Sequence, residues 1–187
     1  AQRYLKRARY GNRAPVASDT PAPAEPSAWL FEAVFDYAEH DPSTPTPDET
    51  RPWLVRADPF STFRPSFDVR TYRLCQRILM FHRFAELGET PSLVKSTDFA
   101  YEASHVRSAN APAYDGGVAL THLASVTHAG YVRGTDGTYT RETLPSLELA
   151  FSQPVIHDVA RAIGRRELAG IPGTPDAQWI DLDGEGL

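Results

Sequence analysis

Apolar and polar residues alternate along much of this chain, and the alternation predicts β-strands. Between Trp29 and Tyr37 every odd position is apolar or aromatic, whereas Glu32 and Asp36 occupy even positions. A period of two with aromatic residues on one side is typical of a strand that is buried on that side. We therefore expect the odd-numbered side chains to face a core and the two carboxylates to face away from it.

Three later segments share a loose cadence, in which a leucine is followed several residues later by an aromatic residue. They read LVKSTDFAYE, LASVTHAGYV and LPSLELAFS and begin at Leu93, Leu123 and Leu144. They fit successive strands of one antiparallel sheet, and the wider stretch 118–132 is expected to be extended throughout. In the first segment one face is expected to hold Leu93, Thr97, Phe99 and Tyr101, with Ser96, Asp98 and Glu102 opposite.

Residues 69–84 fit either a long strand or a helix. As a strand the segment places Leu74, Ile78 and Met80 on one face, and as a helix it aligns Leu74, Ile78 and Phe81. The β-branched and aromatic content and the lack of a helix cap favour the strand. Because sixteen residues is long for one strand, we expect a bend or bulge within it.

Proline and glycine, with 16 and 12 copies, separate these segments and argue against long helices. Ser18–Ser27 and Asp41–Arg51 are expected to be exposed loops with little structure. Gly134–Gly137 (GTDG) predicts a hairpin turn, and 155–163 is expected to form a short helix. The predicted fold class is mainly β, with antiparallel strands of an extended sheet joined by long proline-rich loops.

Composition argues against several kinds of partner. The 187 residues carry a formal net charge of −5, so neither nucleic acid nor direct membrane contact is expected. The chain contains no run of 18 apolar residues, which argues against a membrane span. Residues 1–13 lack the apolar region of a signal peptide. A single cysteine, Cys75, excludes an internal disulfide, and the ends suggest a piece of a longer protein.

Asp181, Asp183 and Glu185 are the candidate metal ligands, within the sequence DLDGEG. Carboxylates at alternate positions beside a glycine can wrap Ca²⁺, which prefers several oxygen ligands. An EF-hand loop would need a third ligand before the glycine and a distal glutamate, and both are missing. A tight acidic turn between strands is the favoured interpretation and a Ca²⁺ loop the alternative; no other cofactor is expected.

The sequence gives little support for a nucleophilic active site or for a zinc site. His122 and His128 have the same strand parity and would lie about 20 Å apart in a straight strand, and no zinc-type histidine spacing occurs. Cys75 lies between Arg73 and Arg77 and is expected to be a small buried hydrophobe, not a nucleophile. Neither a G-x-S-x-G motif nor a glycine-rich phosphate loop is present.

The arginines of the central segment have two interpretations. They are expected to face solvent or to pair across strands with carboxylates such as Asp58 and Asp68. A basic stripe that faces a cargo is the alternative. The residues concerned are Arg64, Arg70, Arg73, Arg77 and Arg83.

The most specific block of the chain is RADPFSTFRPSFDVRTYRLCQRILMFHRF, from Arg56 to Phe84. It resembles the B component of the insecticidal toxin complexes, the TcdB or SpvB-related group. Phe63 and Ser66 stand where the family pattern has tyrosine and glycine. The other blocks that resemble the family are YLKRARYGNR (Tyr4–Arg13), WLFEAVFDYAEHD (Trp29–Asp41), the three leucine-cadence segments and QWIDLDGEGL (Gln178–Leu187).

The resemblance implies a β-rich module over 1–177, followed at 178–187 by the truncated start of a propeller-like segment. It implies a non-catalytic structural module of a secreted toxin-complex B component, a fragment of a larger β shell that encloses and delivers a cytotoxic polypeptide. The implied partners are the rest of its own B-component chain, the toxin C component and the A-component channel. No catalytic residue is carried over, because the family's enzyme and autoprotease belong to the C component.

Two other functions remain open at this point. A free-standing β-sandwich or propeller-type domain that binds protein or carbohydrate would present a row of exposed aromatic residues, namely Trp29, Trp53 and Tyr101. A hydrolase would gather carboxylates with shifted pKa values in a deep pocket.

Overall fold

The computed structural model describes residues 3–17, 19–105, 107–108, 119–152 and 155–156. Its helical elements in this part of the chain are two short 3₁₀ helices, Pro26–Ala28 and Ala85–Leu87, and neither is long and apolar enough to cross a membrane. The strands are β1 (Arg7–Asn12), β2 (Trp29–Asp36), β3 (Val55–Thr62), β4 (Val69–Arg73), β5 (Arg77–His82), β6 (Ser92–His105), β7 (Arg107–Ser108), β8 (Ala119–Arg133), β9 (Tyr139–Thr143), β10 (Leu147–Glu148) and β11 (Val155–Ile156).

Seven of the strands form one antiparallel sheet in the order β1-β2-β5-β6-β8-β10, and β9 also pairs with β8. β3 and β4 form a separate antiparallel hairpin, while β7 and β11 form a short parallel pair. The leucine-cadence segments contribute β6, β8 and β10, which are neighbours in the main sheet. The prediction of a mainly β, antiparallel fold is therefore confirmed.

The boundaries inside the strands differ from the predictions in two places. Residues 69–84 are extended, but they divide at 74–76 into β4 and β5, which belong to different sheets. Val155–Ile156 is a strand where a helix was predicted, and the rest of that segment, 157–163, lies outside the described residues. The hairpin turn at Gly134–Gly137 is confirmed, since the Gly134 N–H donates to the Thr138 carbonyl at 2.8 Å.

The core lies on the sheet face opposite to the predicted one. On β2 the even positions Glu32, Val34 and Asp36 are at most 1% exposed, whereas Phe31 and Phe35 are only half-buried. The prediction that the carboxylates face away from the core is therefore wrong. The buried cluster consists of Val34, Leu79, Phe81 and Leu93, with Tyr131 and Tyr139 packed against it.

Two β-bulges move side chains from one face to the other. The register between β5 and β6 shifts next to Phe81. Leu93 therefore lies on the core face with Phe81, and not on the face of Phe99 where the alternation had placed it. A second shift makes Ala124 the extra residue of β8 and places His122 and His128 on opposite faces. Sequence parity fails at both points because a bulge inserts one unpaired residue into the alternation.

A loop covers the face that carries the carboxylates. The chain leaves β2 through Ala38, whose φ of +76° turns the backbone sharply, and residues 39–48 fold back over the sheet. Pro45 and Pro47 of this loop are buried. Asp41–Arg51 is thus a mostly exposed loop without helix or strand, as predicted, although its two prolines are buried.

Candidate functional site

Beneath this loop three arginine side chains form ion pairs with the carboxylate of the fully buried Glu32. Arg9 Nε donates to its Oε1 at 2.9 Å and Arg83 Nη2 to its Oε2 at 2.5 Å, while Arg7 Nη1 lies 3.4 Å from Oε1. Burial by itself raises the pKa of Glu32, but hydrogen bonds and charge from Arg83 and Arg9 outweigh it and lower the pKa. The carboxylate therefore stays ionised inside the protein at neutral pH.

A second buried cluster begins at Asp36, at the end of β2. Its Oδ2 accepts a hydrogen bond from Arg77 Nε at 2.6 Å, and its Oδ1 accepts from the backbone N–H groups of Glu39 and His40 at 2.8 and 3.2 Å. Glu39 in turn forms ion pairs with Lys6 and Arg73. These contacts join the covering loop to Lys6, the residue before β1, and to β4 and β5.

The hydrogen bonds of His40 define its tautomer. Nδ1 lies 2.9 Å from the carbonyl oxygen of Thr46 and 3.0 Å from that of Asp48. Because carbonyl oxygens only accept hydrogen bonds, Nδ1 carries the proton. Nε2 lies 3.1 Å from Lys6 Nζ and accepts from that ammonium. The imidazole thus bridges the loop and the sheet.

Asp36, Glu39 and His40 have the ligand types of a metal site, and one such atom from each lies within 4.8 Å of the others. The residues do not fit a metal ion. The Lys6 ammonium and the Arg77 guanidinium already supply positive charge to the two carboxylates, and Nε2 of the histidine is engaged by Lys6. The cluster is a network of buried ion pairs, and its geometry suits a structural role.

The predicted metal ligands Asp181, Asp183 and Glu185 lie outside the described residues, as does the 178–187 segment that contains them. That site stays a prediction. Cys75 lies between β4 and β5 and is partly buried. Burial raises the pKa of its thiol to about 11, which disfavours the nucleophilic thiolate at neutral pH.

Three arginines of the central segment pair with carboxylates, but not with the predicted ones. Arg73, Arg77 and Arg83 contact Glu39, Asp36 and Glu32 respectively. Asp58 instead binds Arg56 and the backbone N–H and hydroxyl of Thr121. These buried acids were not predicted from the sequence. The pattern that could have indicated them is that Glu32 and Asp36 share one face of β2, while Arg7 and Arg9 alternate on the neighbouring β1.

The three aromatic residues expected in a sugar-binding row do not form one. Trp29 Nε1 donates to the Pro23 carbonyl at 3.0 Å, and the Trp53 ring lies 4.5 Å from the Arg73 guanidinium. The Tyr101 hydroxyl donates to the Cys75 carbonyl at 2.6 Å. All three side chains are partly buried and engaged within the chain.

Comparison with protein families gives a match over the first part of the chain. Residues 1–84 match the family described as Salmonella virulence plasmid 65kDa B protein. Mono(ADP-ribosyl)transferase SpvB of Salmonella typhimurium is 41% identical over an alignment of 130 residues, and the match covers 62% of this chain and 21% of that protein. The chain thus spans about a fifth of the length of the curated relatives it matches.

Solved structures give matches over a larger part of the chain. The crystal structure of TcdB2-TccC3 without its hypervariable C-terminal region matches with a TM-score of 0.60 and 34% identity, over 80% of this chain and 7% of that chain. The Photorhabdus luminescens Tc holotoxin pore matches with a TM-score of 0.59, 34% identity and the same coverage. The N-terminal domain of the effector SpvB from Salmonella typhimurium matches with a TM-score of 0.55 and 36% identity, over 71% of this chain and 39% of that chain.

Proposed function

Since the chain is related in sequence and fold to SpvB and to the TcdB-type toxin components, we propose that it is a non-catalytic structural module of a secreted toxin-complex B component. In this role it helps to form a β-sheet shell that encloses and delivers a cytotoxic polypeptide. Its partners are then the rest of its own chain, the toxin C component and the A-component channel. The segment 178–187 would begin the next, propeller-like part.

The sheet face opposite the core is the observation that carries this proposal. Tyr10 stacks on Phe31 with ring centroids 4.8 Å apart, and Phe31 meets His82 and Phe84 edge-on at 4.9 and 5.5 Å. This face has the apolar pattern of a buried surface, yet Tyr10 is 45% exposed and the other three rings are only partly buried. A neighbouring part of a larger protein would bury it and gain about 25 cal/mol per Å² of apolar surface.

The non-catalytic part of the proposal has two supports. The solved SpvB structure that matches is that protein's N-terminal domain, whereas the transferase name belongs to the whole protein. Within the described residues, the buried carboxylates Glu32, Asp36 and Glu39 are each paired with arginine or lysine. Acids held in this way stabilise the sheet and its loop and do not act as proton donors.

Assembly of the full-length protein that contains this chain tests the proposal. Phe31→Ser should weaken association with a C component, because it removes the central ring of the sheet face opposite the core. Co-purification and size-exclusion chromatography measure the association. Phe63→Ser is the matched control, since Phe63 is 47% exposed on the separate β3–β4 hairpin. Equal assembly of the two variants would contradict the shell role.

A second measurement tests the absence of catalysis. The 187-residue chain, incubated with NAD⁺ and a mixture of host proteins, should transfer no ADP-ribose. Transfer by this chain that survives repurification would overturn the non-catalytic assignment.

A further inference from the structure

We propose that a groove on the loop-covered side of the sheet binds an acidic peptide segment of a partner protein, through Arg7, Arg83 and Arg133. The groove has a volume of about 460 Å³ and lies between the 44–48 loop and the β8–β9 turn. This goes beyond the shell role, because it assigns a ligand class to a particular surface of the module.

The charge of the groove favours an anionic ligand. Arg7, Arg9 and Arg83 surround the single carboxylate of Glu32, so three guanidinium groups share one negative charge. Arg7, Arg83 and Arg133 are the three arginines that line the groove, and Asp48 is the acid that lines it. The chain as a whole has a net charge of −5, so this excess of positive charge is local.

Two of the arginines have capacity left for a ligand. Arg83 Nη1 is buried and finds no hydrogen-bond acceptor among the described residues. Arg133 Nη1 donates to the Thr90 hydroxyl at 2.6 Å, and no carboxylate in the described part of the chain pairs with it. Guanidinium groups bind carboxylates through paired, charge-assisted hydrogen bonds. An acidic side chain that enters the groove would pair with Arg133, and the guanidinium of Arg83, which also lines the groove, adds positive charge beside it.

The shape of the groove favours an extended peptide over a small anion. Its walls include Pro26, Pro45, Pro47 and Pro91, whose rings offer apolar contact and no N–H donor. A second, smaller groove continues from it and shares Arg83, Pro26 and Pro91. The two together form a trough that is longer than one anion and suits a chain with acidic side chains at intervals.

Fluorescence anisotropy tests this inference with a fluorescein-labelled peptide of alternating aspartate and alanine. The aspartate peptide should bind the 187-residue chain saturably at low salt, and the same peptide with asparagine in place of aspartate should not. Arg133→Gln and Arg7→Gln should each weaken binding about tenfold, because each removes a charge-assisted hydrogen bond. Asp48→Asn should tighten binding.

Arg64→Gln is the matched control, because it removes the same charge from an exposed position outside the groove. Melting temperatures identify any variant that fails to fold. Arg133 lies outside the Glu32 cluster, so Arg133→Gln is expected to change the stability least. Equal affinities of the Arg133→Gln and Arg64→Gln variants would overturn the proposal. Displacement of the peptide by inorganic phosphate at equal affinity would also overturn it, since that result indicates a small-anion site.

Discussion

Arg83 Nη2 lies 2.5 Å from Glu32 Oε2, and the glutamate is 0% exposed. The pair joins β2 to the residue that follows β5, its neighbour in the sheet. Glu32 stands opposite Phe81 in the register, so a charged group lies within the row that builds the core. A buried charge of this kind is stable only because cations surround it.

Glu32→Gln should lower the free energy of unfolding by about 3 kcal/mol, because it leaves three arginines around a neutral side chain. Urea denaturation followed by circular dichroism measures the change. Glu142→Gln, on an exposed position of β9, is the control and should change the free energy by less than about 0.5 kcal/mol. Similar losses for both variants would contradict the buried ion-pair cluster.

Leu79 and Ile78 are consecutive residues on opposite faces of β5, and their truncation compares the two faces directly. Leu79 is 0% exposed, so Leu79→Ala should cost about 3 kcal/mol of unfolding free energy. Ile78 is only partly buried, and Ile78→Ala should cost clearly less. A larger loss at Ile78 would show that the aromatic face is the core after all.

Ser66 has a φ of +68°, in the left-handed region where the family pattern has glycine. Its N–H donates to the Phe63 carbonyl at 2.8 Å within the β3–β4 turn. Ser66→Gly should therefore raise the stability by about 1 kcal/mol, since glycine adopts this conformation without steric cost. The change can be measured from the midpoint of urea unfolding.

Ser61→Gly provides the opposite case, because Ser61 lies within the regular part of β3. This variant should lose stability, since glycine in a strand has more conformational freedom to lose on folding. If both glycine variants change stability in the same direction, the explanation from the backbone of the turn is wrong.

Asp58 makes the stability depend on pH. Burial raises its pKa, but hydrogen bonds from Arg56 and Thr121 outweigh this and lower the pKa from 3.8 to about 2. Because the folded-state value is depressed, the contribution is complete above the unfolded pKa of 3.8 and is lost as pH falls through about 2. Its size is about 2 kcal/mol.

Unfolding free energies measured between about pH 5 and pH 2 test this contribution. Asp58→Asn should flatten the acid side of the curve, because the titrating group is gone. Asp19→Asn is a control at an exposed position and should leave the curve unchanged. An unaltered slope in the Asp58→Asn variant would contradict the assigned contact with Thr121.

The sequence predicted local structure well wherever neighbouring residues decide it. The alternation in β2, the leucine cadence of β6, β8 and β10 and the glycines of the β8–β9 turn all correspond to observed elements. The departure from the family pattern at Ser66 marked a backbone conformation that favours glycine. The relation to the toxin proteins also came from sequence blocks and was confirmed by the matches.

The structure alone revealed the buried charge clusters. The alternation placed Glu32 and Asp36 together, but it also made their face appear solvent-exposed. Lys6, Arg7 and Arg9 come from β1 and its approach, and Arg73, Arg77 and Arg83 come from a segment some forty to fifty residues further along than Glu32 and Asp36. No local pattern brings the arginines at 73, 77 and 83 to these acids, so that part of the pairing could not be read from spacing.

The sequence by itself determined that this chain forms antiparallel strands, where several of them lie and to which proteins it is related. The tertiary structure decided which face of the sheet is the core. A period of two separates two faces but does not rank them, because burial depends on what covers each face. Here the 39–48 loop covers the face with Glu32 and Asp36, and partly buried arginines compensate the charge that this placement removes from water.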